Sequence, residues 1–233
     1  MRFATVNGKP SRPTMSGLQG TCILCGSAAT AKVGPSITPH WAHLPGQEAA
    51  QGCELYLSDE SGDTVNQWHT DWQDRWPDEW QEVVIERGGV KHIADVLIPG
   101  ADGGLVIEFQ HSHISPEAMA AREEFYPRMI WVFDATGRGE VDFVPDQYRR
   151  HAPDYQELTW TNPWPVASRA RKGSYLHFGG RMMFHPDWFT REYTPFNRDT
   201  FAQSSATVNG WLLTVSDFAA SHQGKVDEEM QTL

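Results

Sequence analysis

The chain has 233 residues, 39% apolar and 21% charged, with 10 Trp, 11 Phe, 6 Tyr and a net charge of −11. That is enough large side-chain area to pack one domain, or a domain with a small module, and it excludes a wholly disordered chain. No apolar run approaches the roughly 20 residues that cross a bilayer, so no membrane partner is expected. The opening segment breaks on Gly8 and Pro10 before a secretory apolar core could form. A cytoplasmic protein is expected.

In chain order, residues 1–20 read as a loose lead-in rich in Gly, Pro, Ser and Thr. Residues 21–55 hold all three cysteines and two histidines but little periodic hydrophobicity. A polar break at 56–63 precedes a helix opening at Asp63 or Thr64. On it Val65, Trp68, Trp72 and Trp76 form an apolar stripe that Pro77 ends. Glu82–Arg87 is a predicted strand, Gly88-Gly89 a two-residue hairpin turn, and Val90–Ile98 the returning strand. Pro99–Gly104 is a turn and Leu105–Gln110 a third strand.

Ser115, Pro116 and Glu117 open a helix with a capping hydroxyl, a proline at its first position and an acid in its first turn. That helix runs to about Tyr126. Met129–Phe133 follows as a strand reached by a helical crossover, hence parallel to the third. The order is helix, three-strand meander, helix, strand: an α/β fold with a mixed sheet. Beyond 140 prolines punctuate the chain, and Tyr175–Phe178 with Arg181–Phe184 suggests a second hairpin. The last 45 residues carry no pattern that we assign. The chain divides on this reading into a Cys/His module (1–58), a core (59–140) and a C-terminal extension (141–233).

The cysteine segment reads Cys22-x2-Cys25-x14-His40-x2-His43-x9-Cys53. Zinc needs four N/S donors in a tetrahedron, and a closed site would fold so core-poor a segment. A disulfide would leave one cysteine over and suits a reducing compartment poorly. Cys22, Cys25, His43 and Cys53 are the preferred ligands, with His40 as the alternate.

With the turn placed at 99–104, Asp95 stands directly opposite Glu108, where Cβ atoms lie about 4.5–5.5 Å apart. Two like charges so close call for compensation. Carboxylate oxygens suit Mg²⁺ or Mn²⁺, although an exposed sheet face or an arginine partner would serve as well. Charge is also unevenly spread: residues 1–50 carry net +3, 51–146 net −14, 147–191 net +4 and the last 42 residues net −4. An acidic block between basic flanks suits a cation-binding core with phosphate-gripping arms, and chance clustering gives the same totals.

The stretch Ala94-Asp-Val96 … Val106-Ile-Glu-Phe-Gln110-His-Ser112-His-Ile114-Ser-Pro-Glu117 … Arg122-Glu123 … Ile130-Trp-Val132 resembles the competence protein CoiA-like family of the PD-(D/E)xK nuclease superfamily. The Cys-x-x-Cys pair, the His40-Trp-Ala-His43 tetrad and Trp68-His69 agree with it. The resemblance spans roughly residues 22–135 and implies the superfamily core in the element order read above. It implies Asp95, Glu108 and the Phe109 carbonyl as Mg or Mn ligands, Gln110 in the place of the superfamily's catalytic Lys, and His69 as an assisting group. The family pattern places an acid where Gln67 stands and a Lys where Gln73 stands, so the sequence departs from it there.

Lys91 falls diagonal to Gln110 and could supply the missing positive charge, or lie solvated. Arg122 is expected to pair with an acid rather than to grip phosphate. Ser112 and His113 either line the site or form plain turn chemistry. Arg149, Arg150, Arg169, Arg171 and Lys172 are candidates for backbone phosphates, and Trp160, Trp164 and Tyr175 for base stacking or for packing. The resulting expectation is a Mg/Mn-dependent DNA nuclease with a structural zinc. The alternative is a non-catalytic nucleic-acid-binding or partner-docking protein on a degenerate nuclease fold. A zinc-finger regulator would leave the acidic hairpin unexplained.

Overall fold

The computed structural model describes residues 1–55, 66–145, 154–161, 163–164, 167–180, 182–192 and 205–224. It is mixed α/β, dominated by sheet, and falls into two compact units, Met1–Leu97 and Ile98–Leu233.

The first unit opens with a five-stranded antiparallel sheet in the order β2-β1-β3-β4-β5. Its strands are β1 (Ala4–Val6), β2 (Lys9–Ser11), β3 (Gln19–Cys22), β4 (Ala28–Gly34) and β5 (Ile37–His43). The segment up to residue 20 is therefore ordered, not a loose lead-in. Strands of three or four residues are too short to show alternation. Asn7 and Gly8 take positive φ between them, as a two-residue hairpin turn requires. The sheet's small core gathers Met1, Ala4, Ala29, Ala31 and Trp41 around Cys22 and Cys53. Gly20 suits the tight packing there: a Cβ would sit 3.1 Å from the Trp41 ring and 3.1 Å from the Thr5 carbonyl, so its neighbours would have to give by a few tenths of an ångström.

Helix α1 covers Gln67–Gln73, capped by Asn66, whose side chain accepts from the Trp68 N–H. It is shorter than the apolar stripe suggests. Asn66 is extended, so the helix does not run back through it to Asp63 or Thr64, and those two residues lie outside the described ones. Past Gln73 the chain tightens into i→i−3 bonds, Arg75 to Trp72 and Trp76 to Gln73. Trp72 and Trp76 are buried. β6 (Gln81–Arg87) and β7 (Val90–Ile98) then form the expected hairpin, with Gly88 and Gly89 both at positive φ and Arg87 facing Val90.

The second unit contains β8 (Leu105–Gln110), α2 (Pro116–Phe125), β9 (Met129–Asp134), β10 (Val141–Pro145), β11 (Tyr155–Thr161), β12 (Gly173–His177), β13 (Met182–Glu192), β14 (Ser205–Thr214) and α3 (Val215–Ser221). β8, β9 and β12 run parallel. The sheet continues antiparallel through β13, β14, β11 and β10. As expected from the sequence, α2 carries the chain from β8 to its parallel neighbour β9, with Ser115 capping and Pro116 at the first position. The parallel strands are largely buried on both faces, so β8 reads as an apolar run interrupted by Glu108 and Gln110. Trp131, Phe133, Leu158, Trp160, Leu176 and Phe218 fill the core. The hairpin expected from Tyr175 to Phe184 is present as β12–β13. β10, β11, β14 and α3 are additions. Thr214 and Asp217 close a reciprocal capping box that starts α3. Among the described residues no helix is long and apolar enough to cross a membrane.

Candidate functional site

Three short elements bring four donors together in the first unit. Cys22 ends β3, Cys25 sits in the turn after it, His43 ends β5, and Cys53 follows the 3-10 turn Glu48–Ala50. The candidate ligand atoms of Cys22, Cys25, His43 and Cys53 all lie within 4.8 Å of one another. Cys22 Sγ is 3.9 Å from Cys53 Sγ, and Cys25 Sγ is 3.5 Å from His43 Nε2. Tetrahedral bonds of about 2.3 Å place two thiolate sulfurs about 3.8 Å apart, so the set has the dimensions of a zinc site, and none of the three cysteines is in a disulfide among the described residues. The four can hold a structural zinc ion.

The loop that carries the cysteines is shaped for this. Cys22 N–H donates to Ser27 O at 2.7 Å, Gly26 N–H to Cys22 O at 3.0 Å, and Leu24 N–H points at Cys22 Sγ at 3.4 Å. Gly26 takes the positive φ that closes the turn. Gln47 braces the module by accepting from Ala28 N–H at 2.7 Å and donating to Ala28 O at 2.8 Å. The hydrogen-bonding contact with Cys53, followed by burial, pushes the Cys22 thiol up to about 12, against the backbone N–H groups of Cys25 and Leu24. A thiol held protonated is a poor nucleophile at neutral pH, and to bind a cation it would have to release that proton. His40, three residues before His43 on β5, lies on the other face, its Nδ1 2.9 Å from Thr38 O. His43 is thus the residue brought to the cysteines.

Asp95 lies on β7 in the same unit, and α1 brings His69 to it: Nε2 is 3.1 Å from Asp95 Oδ2. Burial disfavours the imidazolium, but the Asp95 carboxylate outweighs it, with help from Glu82 and against Arg2, so the His69 pKa is raised. Gln73, fully buried, donates from Nε2 to the Asp95 carbonyl at 3.1 Å and accepts from Arg2 Nη1 at 3.1 Å. Buried Arg2 also donates to Thr70 O at 2.9 Å and pairs with Asp74. Glu82, at positive φ, accepts the backbone N–H of Arg2 and of Phe3. His92 on β7 holds Glu54, the residue after Cys53, with Nδ1 2.6 Å from Oε1. Sequence reasoning missed Arg2, Glu82 and the anchoring role of Gln73. Their partners lie far along the chain, and no local pattern signals them.

Glu108 and Gln110 belong to the second unit. Glu108 is buried on β8 and accepts at Oε2 from Arg122 Nη1 on α2 at 2.8 Å, the acid partner expected for that arginine. Gln110 Nε2 donates to the Ser112 carbonyl at 2.8 Å. Phe109 is buried and His113 is exposed.

The phosphate candidates sit in varied surroundings. Lys91, near the hairpin turn, is 3.5 Å from Glu86. Arg169 is exposed. Arg171 Nε lies 2.8 Å from Glu123, which also takes the Arg171 and Lys172 backbone N–H groups, while Lys172 Nζ donates to Pro127 O. Arg149 and Arg150 lie outside the described residues. Trp160 and Trp164 are buried, Trp160 donating to Arg138 O and Trp164 lying under the Arg138 guanidinium at 3.9 Å. Tyr175 packs on Phe218. These aromatics serve packing.

No family model matches the chain, and no match was found among curated proteins or solved structures.

Proposed function

We propose that the protein is a Mg- or Mn-dependent deoxyribonuclease of the PD-(D/E)xK type, similar to the CoiA-like family, with a structural zinc in its first unit. The observation that carries the reading is His69 at 3.1 Å from Asp95. Of the acids and histidines singled out in the sequence, these two meet with both side chains still partly open to solvent, 29% and 17%. The resemblance assigns the divalent ion to Asp95, Glu108 and the Phe109 carbonyl, an all-oxygen donor set that suits Mg or Mn. That ion supplies a water of lowered pKa and positive charge for the pentavalent phosphorus.

The chain's own groups do the rest. His69 fixes the Asp95 carboxylate through one oxygen. Gln73 fixes its backbone from the buried side. Gln110, with its amide N–H committed to Ser112, offers Oε1 to accept from the attacking water and so orient it.

One observation favours the second reading, a non-catalytic nucleic-acid-binding or partner-docking protein. Glu108 already has a cationic partner in Arg122 at 2.8 Å, which neutralises the charge that a metal would otherwise compensate. Cleavage of supercoiled plasmid and labelled single-stranded DNA with Mg²⁺, Mn²⁺ or EDTA separates the two. The nuclease reading expects metal-dependent cutting that Glu108→Ala and Asp95→Ala abolish. Folded, zinc-loaded protein that cuts neither substrate would leave the binding reading in place.

A further inference from the structure

We propose that a cleft in the first unit binds a guanine base. Its volume is about 270 Å³, and its lining includes Arg12 and Pro13 just after β2, Thr38 and Pro39 on β5, and Gln67 and Asp74 at the two ends of α1. Drug-sized sites run from roughly 300 to 1,000 Å³, so this one suits a single bicyclic heterocycle.

The polar groups select among bases. Arg12 spends Nε and Nη2 on Asp78, Asp74 and Gln81, while Nη1 makes no hydrogen bond among the described residues. Asp74 takes Arg2 and Arg12 both on Oδ1 and is half-exposed, which leaves Oδ2 as an acceptor. Arg12 and Asp74 both line the cleft, so two N–H donors on one guanidinium nitrogen and one carboxylate oxygen are left for a ligand there. Both groups are held in place, Asp74 by buried Arg2 and Arg12 by Asp78. Guanine carries the complementary set: O6 and N7 accept, N1–H and N2–H donate. Adenine and cytosine present a ring-nitrogen acceptor where a carboxylate needs a donor, and uracil and thymine lack the second donor. Pro13 and Pro39 also line the cleft and add apolar surface for a base.

Charge supports a base over a phosphate. Arg2 and Arg12 are balanced by Asp74 and Asp78, so the cleft offers hydrogen bonds without net positive charge. The same chemistry could arrive as a free guanine nucleotide or as a guanine within a strand. The strand source rests on the nucleic-acid reading above, whereas the base site does not.

The test is calorimetric titration of the zinc-loaded full chain with guanosine, adenosine, cytidine and uridine monophosphates, then with the trinucleotides TGT and TAT. Guanosine monophosphate should bind at least tenfold tighter than the other three. Asp74→Asn should weaken it at least tenfold and turn the preference to xanthosine monophosphate, whose C2 carbonyl accepts from the new amide. That gain also reports that the variant folds. A TGT affinity above that of the monophosphate would assign the strand as the source, and the reverse would assign the free nucleotide. Equal affinity for all four monophosphates, no binding of any, or undiminished guanosine binding by Asp74→Asn would overturn the proposal. Plasmid cleavage by the same preparation reports separately on the nuclease reading.

Discussion

The two units are held together by different means. The cysteine-bearing sheet of the first gathers a core of Trp41 and a few small residues, and its loops converge on Cys22, Cys25, His43 and Cys53. The second packs whole aromatics, Trp131, Phe133, Trp160 and Phe218, against its seven strands, β8 to β14. A small sheet in which three of five strands run only three or four residues buries too little apolar area to offset its chain entropy. Four converging donors offer it a local substitute, while the larger sheet needs none. Each unit should therefore fail under a perturbation that leaves the other standing.

The largest expected effect is on the metal centre. Structural zinc in small modules contributes on the order of 10–16 kcal/mol at neutral pH. Chelation, or Cys22→Ser, should abolish amide-exchange protection over β1–β5 and leave β8, β9 and β12 protected. Uniform loss over both units would break the comparison. Next comes the aromatic core. Trp131→Ala should cost about 3–5 kcal/mol in denaturant unfolding of the second unit, with zinc content unchanged by metal analysis. Trp131 is fully buried and its indole N–H donates to buried Glu123 at 3.2 Å, so the substitution leaves both a cavity and a carboxylate short of one donor.

The buried ion pair follows. Arg122→Ala leaves the Glu108 carboxylate in an apolar strand, and breaking such pairs costs about 3–5 kcal/mol when both charges are buried. Arg122 is 34% exposed, so the lower end is expected. Adding Glu108→Gln to Arg122→Ala should recover part of the loss in the same unfolding measurement. If Arg122→Ala costs nothing, water reaches Glu108 and the pair is a surface contact.

What was legible follows from range. The Gly88-Gly89 hairpin, β8, the cap of α2 and the parallel β9 were legible because each has a local signal: a turn dipeptide, a five-residue apolar pattern, a Ser-Pro-Glu start. The Cys/His ligands were legible from spacing, and β5 decided between His40 and His43 by placing them on opposite faces. α3 was within reach too, since Thr214-Val-Ser-Asp217 is a capping box by residue type, but β14 before it shows no clean alternation. The surroundings of Asp95 were not legible. Arg2 meets its partners 68 to 80 residues away, and Gln73 looks like an ordinary helix glutamine until the strand beside it is known.

The smallest expected effect is on the acid side of the first unit. Burial disfavours the Asp74 carboxylate, but hydrogen bonds from Arg12 and Arg2 outweigh it, so its folded pKa lies below the ordinary 3.8. A depressed folded pKa means that the unfolded chain takes up the proton first as pH falls. The resulting stability is complete well above 3.8 and is lost as pH drops through the lower folded value. Asp74→Asn keeps the shape and removes the titration. The stability gap between wild type and Asp74→Asn, followed by denaturant unfolding, should be constant near neutrality and close on acidification below pH 4. The comparison subtracts whatever the zinc ligands do in both proteins: no gap at neutrality would place the Arg2–Asp74–Arg12 contacts among surface pairs of no measurable worth, and a gap that stays open on acidification would trace the loss to something other than the carboxylate charge. A gap that closes makes them a second anchor of the first unit, one that works by charge where the cysteine cluster would work by ligation.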